Sequence, residues 1–211
     1  MHDEVLTKEA ASILPSFDRF EGFYLVGGTA LALQIGHRIS VDFDFFSFAP
    51  LPDGLLRKIK RVFGNQQISV TYSAPEQLNL TIEGVKVTFF NYPYQNIYPL
   101  IPYKWINMAS VAEIALMKAF SIGKRLSYKD YIDWYFLLSG KRVSLEEVIK
   151  GAEKKFGADF NDRLFLGQLV SMEDVSIQKI DFLEEEISKE NVAKLLESEV
   201  IAFKSQLGGV V

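Results

Sequence analysis

The chain has 211 residues, 48% of them hydrophobic and 24% charged, which is enough to bury one large core or two small ones. It carries no cysteine and only two histidines, which excludes disulfides, thiolate catalysis and cysteine-based metal centres and leaves little for a histidine-rich one. Its formal net charge of −4 gives the surface as a whole no attraction for nucleic acid, so such a substrate would need a local basic patch.

The opening MHDEVLTKEA lacks the basic start and apolar run of a signal peptide, and no stretch approaches the roughly 20 apolar residues that span a bilayer. The expectation is a cytoplasmic protein without membrane attachment. Residues 7–20 read as a helix capped by Thr7 and broken near Pro15. Phe23 to Val26 is a short run of strand formers stopped by Gly27 and Gly28, and residues 29–35 are good helix formers closed by Gly36. In ISVDFDFFSF, apolar and acidic residues alternate from Val41 to Phe45. That is the period of a strand, and it puts Asp42 and Asp44 on one face.

LPDGLLRKIKRVFG predicts a further helix ending at Gly64. Residues 67–73, 78–83 and 85–91 read as strands, the last two joined at Glu83-Gly84. Residues 92–104 hold three prolines without a helical period and read as an extended connection with a domain boundary at its end. Beyond it the pattern is helical to about residue 206, with capping-box spacings at Ser110/Glu113 and Ser144/Glu147 and a cap at Ser127. The fold class expected is therefore α+β, with a mixed sheet and its helices over 1–104 followed by a helical domain over 105–211 that completes the cleft. Basic residues gather at Arg57, Lys58, Lys60 and Arg61, which read as a solvated helix face, and at Lys118, Lys124, Arg125 and Lys129.

Chemistry concentrates in GGTALALQIGHRISVDFDFF, Gly27 to Phe46. Glycine lets the backbone approach a ligand closely, and the free N–H groups of a helix start favour phosphate. Two carboxylates on one face repel each other unless a cation lies between them, and magnesium suits hard oxygen ligands. A Gly-Gly pair alone is a turn, and an Asp-x-Asp alone is the wet face of an edge strand. Their order, with one short helix between, gives the pair its meaning. Arg38 lies in the loop before the acidic strand, where it either clamps a phosphate or pairs with Asp42 or Asp44. The neighbouring His37 reads as structural.

This segment resembles the nucleotidyltransferase superfamily, whose signature is a Gly-Gly or Gly-Ser turn followed by Asp-x-Asp or Asp-x-Glu. Gly27 to Ala32 and Gly36 to Phe46 are more closely similar to the AbiEii/AbiGii toxin family of abortive-infection, type IV toxin–antitoxin systems. Lys118 lies in a run similar to that family's Met-Lys motif. Lys129-Asp130-Tyr131-Ile132-Asp133-Trp134-Tyr135 matches its Lys-Asp-x-x-Asp-Leu-Tyr element except at Trp134. The similarity spans roughly residues 20–140.

The resemblance implies a nucleotidyltransferase-like sheet domain. Gly27, Gly28 and Thr29 would cradle the phosphates of a nucleoside triphosphate, Asp42 and Asp44 would bind Mg2+, and Lys118 would reach a triphosphate oxygen. Lys129 and Asp133 would face the nucleotide, with Asp133 acting in catalysis. It also implies a toxin with a cognate antitoxin and an RNA, tRNA or protein hydroxyl as acceptor. The alternatives are a nucleotide-binding regulator without turnover and a small-molecule nucleotidyltransferase of the antibiotic-modifying kind. One departure stands out. The strand VKVTFF has Thr88 where a third carboxylate is expected, and Glu83 lies nearby only in a turn.

Overall fold

The structure is a computed structural model that describes residues 1–122, 124 and 127–208. It divides into two compact units, Met1–Ser110 and Val111–Val211. The fold class is α+β, as the alternation of periods implies.

The first unit is built on a seven-stranded mixed sheet of order β3-β4-β5-β2-β1-β7-β6. Its strands are β1 (Phe23–Val26), β2 (Phe43–Ser47), β3 (Ile68–Ser73), β4 (Gln77–Ile82), β5 (Val85–Asn91), β6 (Ile101–Tyr103) and β7 (Ile106–Met108). β2 lies between β1, antiparallel to it, and β5, parallel to it. Along β2, Phe43, Phe45 and Ser47 are buried while Asp44 and Phe46 are half-buried, so the expected alternation holds from Phe43 onward, whereas Val41 lies ahead of the strand and is exposed.

The buried face carries an aromatic core. Phe17 packs on Phe20, Phe43, Phe45, Phe63 and Phe89 with ring centroids 4.5–6.3 Å away. The helical residues of that core come from the segment at 8–19 and from α3 (Leu55–Val62) with the Phe63 that follows it. The first segment is α1 (Lys8–Ile13), capped by Thr7 Oγ1 accepting from Ala10 N, followed by a 3₁₀ turn that begins around Pro15. Arg57, Lys58, Lys60 and Arg61 on α3 are exposed, in keeping with a solvated helix face.

The segment ending at residue 104, read from sequence as an extended connection, differs. Residues 101–108 form the β6–β7 hairpin, and β7 pairs in parallel with β1, matching Leu25 to Met108. The compact unit accordingly runs to Ser110 rather than stopping at residue 104. Tyr103 and Lys104 both reach the Asp3 carboxylate and tie this hairpin to the N-terminal turn. The Lys104 ammonium, followed by the Tyr103 hydroxyl, holds that carboxyl below its usual range.

The second unit is helical: α4 (Val111–Ser121), α5 (Tyr128–Ser139), α6 (Leu145–Phe156), α7 (Asp162–Val170) and α8 (Lys189–Gly208). The Ser144/Glu147 capping box forms, with Ser144 Oγ accepting from Glu147 N and Glu147 Oε2 accepting from Ser144 N. Ser127 occupies the cap position of α5 but its side chain makes no capping bond. Glu113 pairs its carboxylate with Lys155 Nζ at 2.7 Å, and both side chains are fully buried. Burial pulls the Lys155 ammonium below its ordinary value, against the Glu113 carboxylate. Residues 171–188 hold no helix, so the helical reading of this stretch fails. Its run Lys179, Asp181, Glu184, Glu185 and Glu186 offers too little apolar surface to cover a helix face. Among the described residues no helix is long and apolar enough to cross a membrane.

Candidate nucleotide site

The site assembles where β1 gives way to α2 (Gly27–Ile35) beside the start of β2. Val26 precedes the helix in an extended conformation and supplies no side-chain cap, so the first N–H groups of α2 have no capping side chain from that position. Such a terminus carries partial positive charge and suits an anion.

Both glycines are crowded by side chains, and Gly27 is also set apart by its backbone conformation. Gly27 has φ +72°, and a Cβ there would stand 2.8 Å from Asp44 Oδ2. A Cβ on Gly28 would stand 2.5 Å from Arg38 Nη2. The Asp44 carboxylate and the Arg38 guanidinium thus lie over two consecutive backbone positions at the helix start. Asp44 is held from the other side by register, opposite Val26 on β1 and Thr88 on β5. Asp42 lies one residue ahead of the strand and is half-buried, as Asp44 is.

Thr29, expected to cradle phosphate, is buried and uses its hydroxyl otherwise. Its Oγ1 donates to the Asp42 carbonyl and lies 2.8 Å from Ser40 Oγ. A hydroxyl carries one hydrogen, so Ser40 is the donor in that second contact. Thr29 therefore pins the backbone that presents Asp42. Ser40 was missed in the sequence reading, and nothing in its local pattern marks it.

Arg38 is 3% exposed and its Nη1 donates to the Ile39 carbonyl at 3.2 Å. It lies against the helix start rather than reaching into solvent. His37 is buried, consistent with a structural part.

In the second unit, Lys118 is 5% exposed and clasped by two carboxylates, Asp130 Oδ1 at 2.8 Å and Asp133 Oδ2 at 2.6 Å. Asp133 is fully buried. Burial alone would lower the Lys118 pKa, but Asp133 and Asp130 together outweigh it and hold the ammonium above its ordinary value. Asp130 is the member that the sequence reading overlooked. The signal was its spacing, since residues three apart on a helix share a face. Lys129 is half-buried on the same helix. Lys118 is not part of an exposed basic patch. Lys124 is exposed, with its ammonium over the Phe120 ring, and Arg125 lies outside the described residues.

Among the described residues, no three or more His, Asp or Glu side chains gather into a protein-only metal cage. Asp42 and Asp44 supply a two-carboxylate, all-oxygen donor set. That fits a hard cation which takes its other oxygens from phosphate and water, as magnesium does. The expected third acid is absent from its place, because Thr88 stands beside Asp44 and Asn79 beside Thr88. Glu83 remains in the β4–β5 turn, where its Oε1 accepts from Gln67 N at 2.7 Å.

Gly27→Ala tests the geometry of this site. The new methyl collides with the Asp44 carboxylate at a backbone conformation that disfavours any side chain, so a stability loss of about 1–3 kcal/mol is expected in denaturant unfolding. Thr29→Val should leave the fold and slow the reaction by about ten-fold or more, since one lost donor releases the Asp42 carbonyl. Steady-state kinetics would check this, and an unchanged rate would count against the pinning role.

The protein matches the family model described as "Nucleotidyl transferase AbiEii toxin, Type IV TA system" over residues 11–207, a wider span than the motifs alone cover. The uncharacterized protein aq_aa25 of Aquifex aeolicus (strain VF5) is 33% identical over 204 residues, covering 90% of this chain and 96% of that protein. A crystal structure from H. pylori described as that of a "putative nucleotidyltransferase" superposes with a TM-score of 0.60 at 15% identity, covering 97% of this chain and 99% of the other. The crystal structure of JHP933 from Helicobacter pylori gives 0.50 at 14% identity, covering 96% and 99%. Those two likenesses establish the fold. The family model, spanning nearly the whole chain, establishes that this protein belongs to the nucleotidyl transferase AbiEii toxin family of type IV toxin–antitoxin systems and is a nucleotidyltransferase.

Proposed function

We propose that this protein transfers a nucleoside monophosphate from a nucleoside triphosphate to the hydroxyl of an RNA end, in a magnesium-dependent reaction centred on Asp42 and Asp44. One observation carries the reading: Gly27, at the start of α2, lies directly against the Asp44 carboxylate, so a phosphate seat and an acidic pair share one location. Membership of the family implies a nucleotide substrate and a cognate antitoxin.

In this reading the triphosphate rests at the N-terminus of α2, with the backbone N–H groups meeting its oxygens and the buried Arg38 guanidinium adding positive charge beside the helix start. Asp42 and Asp44 hold the cation, which when bound supplies charge neutralisation for the phosphates. The acceptor oxygen forms a bond to the α-phosphorus as the bond to the pyrophosphate oxygen breaks. The hydroxyl proton leaves to water, because Thr88 offers no base at the third position. Catalysis is then mainly positioning and electrostatics.

Lys118 and Asp133 enter this proposal as positioning residues. With both side chains out of solvent, they fix α4 against α5, and Lys118 would have to leave two carboxylates to touch a triphosphate.

A second reading, nucleotide binding without turnover, draws on Thr88 standing where a third acid is expected. The two are separated by incubating the protein with α-labelled and, separately, γ-labelled triphosphates, magnesium and total cellular RNA. Transfer predicts α-label in RNA and γ-label released as pyrophosphate. Triphosphate binding with no label transferred would replace it with the regulatory reading. Label arriving on protein would redirect the acceptor.

A further inference from the structure

The face of the sheet that carries Asp44 continues outward beyond β2. Register places Thr88 beside Asp44, Asn79 beside Thr88 and Tyr72 beside Asn79, one residue from each successive strand. At the usual strand spacing this row extends about 14 Å from the acid. Gln77 and Lys86 share the face, and Gln77 Nε2 donates to Asn79 Oδ1 at 2.9 Å. Tyr72 is 50% exposed, Lys86 is exposed, and Thr88, Asn79 and Gln77 are half-buried. The aromatic core of this unit lies on the opposite face, where Phe43, Phe45, Leu78, Leu80, Val87 and Phe89 are buried.

The charge of the row is unusual for this chain. The protein has a net charge of −4, yet from β5 outward this face holds no Asp or Glu and one lysine. The nearest acids in sequence, Glu76 and Glu83, fall in the turns that bound β4. The missing third carboxylate is part of the same pattern, since an acid at position 88 would repel a polyanion. What the row offers is two side-chain amides, a hydroxyl, a phenol ring and an ammonium. Amides pair with base edges, aromatic rings stack on unpaired bases, and lysine meets phosphate. Base edges and faces are open in this way only in a single strand.

We propose that the row Thr88–Asn79–Tyr72, with Gln77 and Lys86 beside it, seats the unpaired terminal nucleotides of the acceptor RNA. This rests on RNA being the acceptor. Tyr72 stacks on a base, the Asn79–Gln77 amides meet base edges, and Lys86 meets a backbone phosphate. The strand leads inward to Asp44.

Binding can be measured apart from turnover, by fluorescence anisotropy of a labelled RNA duplex with a short unpaired 3′ end, using protein that carries Asp42→Asn and Asp44→Asn. Adding Tyr72→Ala and Asn79→Ala should weaken this binding about ten-fold or more, and a blunt duplex should bind more weakly than the overhang throughout. In otherwise wild-type protein the same two changes should raise the acceptor KM and leave the binding of a non-hydrolysable triphosphate unchanged. Tyr72 is exposed and Asn79 half-buried, and a thermal unfolding transition like that of the wild type is the control that the variants fold.

Unchanged affinity in the variant, or equal binding of blunt duplex, overturns the row as a single-strand seat. Transfer to RNA with an unaltered acceptor KM removes the row and leaves the transferase reading standing. Overhang binding that depends on Tyr72 and Asn79 but is never followed by transfer removes the transferase reading and keeps the row. Labelling of protein in place of RNA removes both the RNA acceptor and the row.

Discussion

Asp42→Asn and Asp44→Asn should each reduce transfer by about a thousand-fold while the protein still folds. The carboxylates are presented by two different devices, which makes separate substitutions informative. Asp44 belongs to β2 and is fixed by its neighbours Val26 and Thr88 in the sheet. Asp42 precedes the strand, and its backbone is held by the Thr29 hydroxyl. Neither side chain belongs to the phenylalanine core on the opposite face, so asparagine, of the same shape, leaves the packing intact. The loss should appear in kcat rather than in the binding of the triphosphate, whose phosphates, in the proposed function, also rest on α2. Initial rates with saturating triphosphate provide the measurement. A variant of either residue that keeps more than a tenth of the wild-type rate would remove that residue from the reacting centre.

The largest effect on stability is expected from Lys118→Met. The lysine lies between Asp130 and Asp133, all three side chains being withdrawn from water. Methionine matches the volume but takes the Lys118 ammonium away from two buried carboxylates, and breaking a buried ion pair from one side costs about 3–5 kcal/mol. Urea unfolding would measure it. The pH dependence has a definite sign. Without the lysine, burial and mutual repulsion raise the folded-state pKa of these carboxyls above their unfolded value near 4. The folded variant then binds more protons than the unfolded chain as the pH falls toward that value, so its deficit shrinks on acidification. The variant should be closer to wild type at pH 5 than at pH 8. A small loss that does not vary with pH would show that Lys118 is not the counter-ion of this cluster. If Lys118 instead met the triphosphate directly, nucleotide affinity would fall in proportion to the loss of rate at full folding.

Much of this was legible in the sequence where a local period decides. In Phe43 to Phe46, alternation of two assigns Phe43 and Phe45 to the core and Asp44 to the other face, and the strand obeys it. Gly27 and Gly28 announce a close approach, and both are hemmed in by side chains. Glu83-Gly84 turns as expected, with positive φ at both residues. What stayed hidden depends on partners distant in sequence. The β6–β7 hairpin is short, contains Pro102 and is secured by parallel pairing with β1, which lies about eighty residues earlier. Lys118 looked like a member of a basic cluster because charge can be counted from sequence but burial cannot. Thr29 looked like a phosphate ligand because its position in the motif says nothing of where its hydroxyl points.

The division of labour in the first unit follows from its two sheet faces. One is sealed by Phe17 and its neighbours, giving the acids a rigid floor. The other begins at the α2 terminus and Asp44 and runs outward over Thr88, Asn79 and Tyr72. In the proposed function, Thr88 beside Asp44 leaves no carboxylate there to act as a base or to repel an incoming polyanion.

The most direct test of the acidic pair is manganese binding in place of magnesium, followed by electron paramagnetic resonance in the presence of a non-hydrolysable triphosphate. Wild-type protein should bind the ion and the nucleotide together. The Asp42→Asn, Asp44→Asn double variant should keep the nucleotide and lose the ion, with at least ten-fold weaker manganese affinity. Undiminished manganese binding by the double variant would contradict the assignment of Asp42 and Asp44 as the metal ligands.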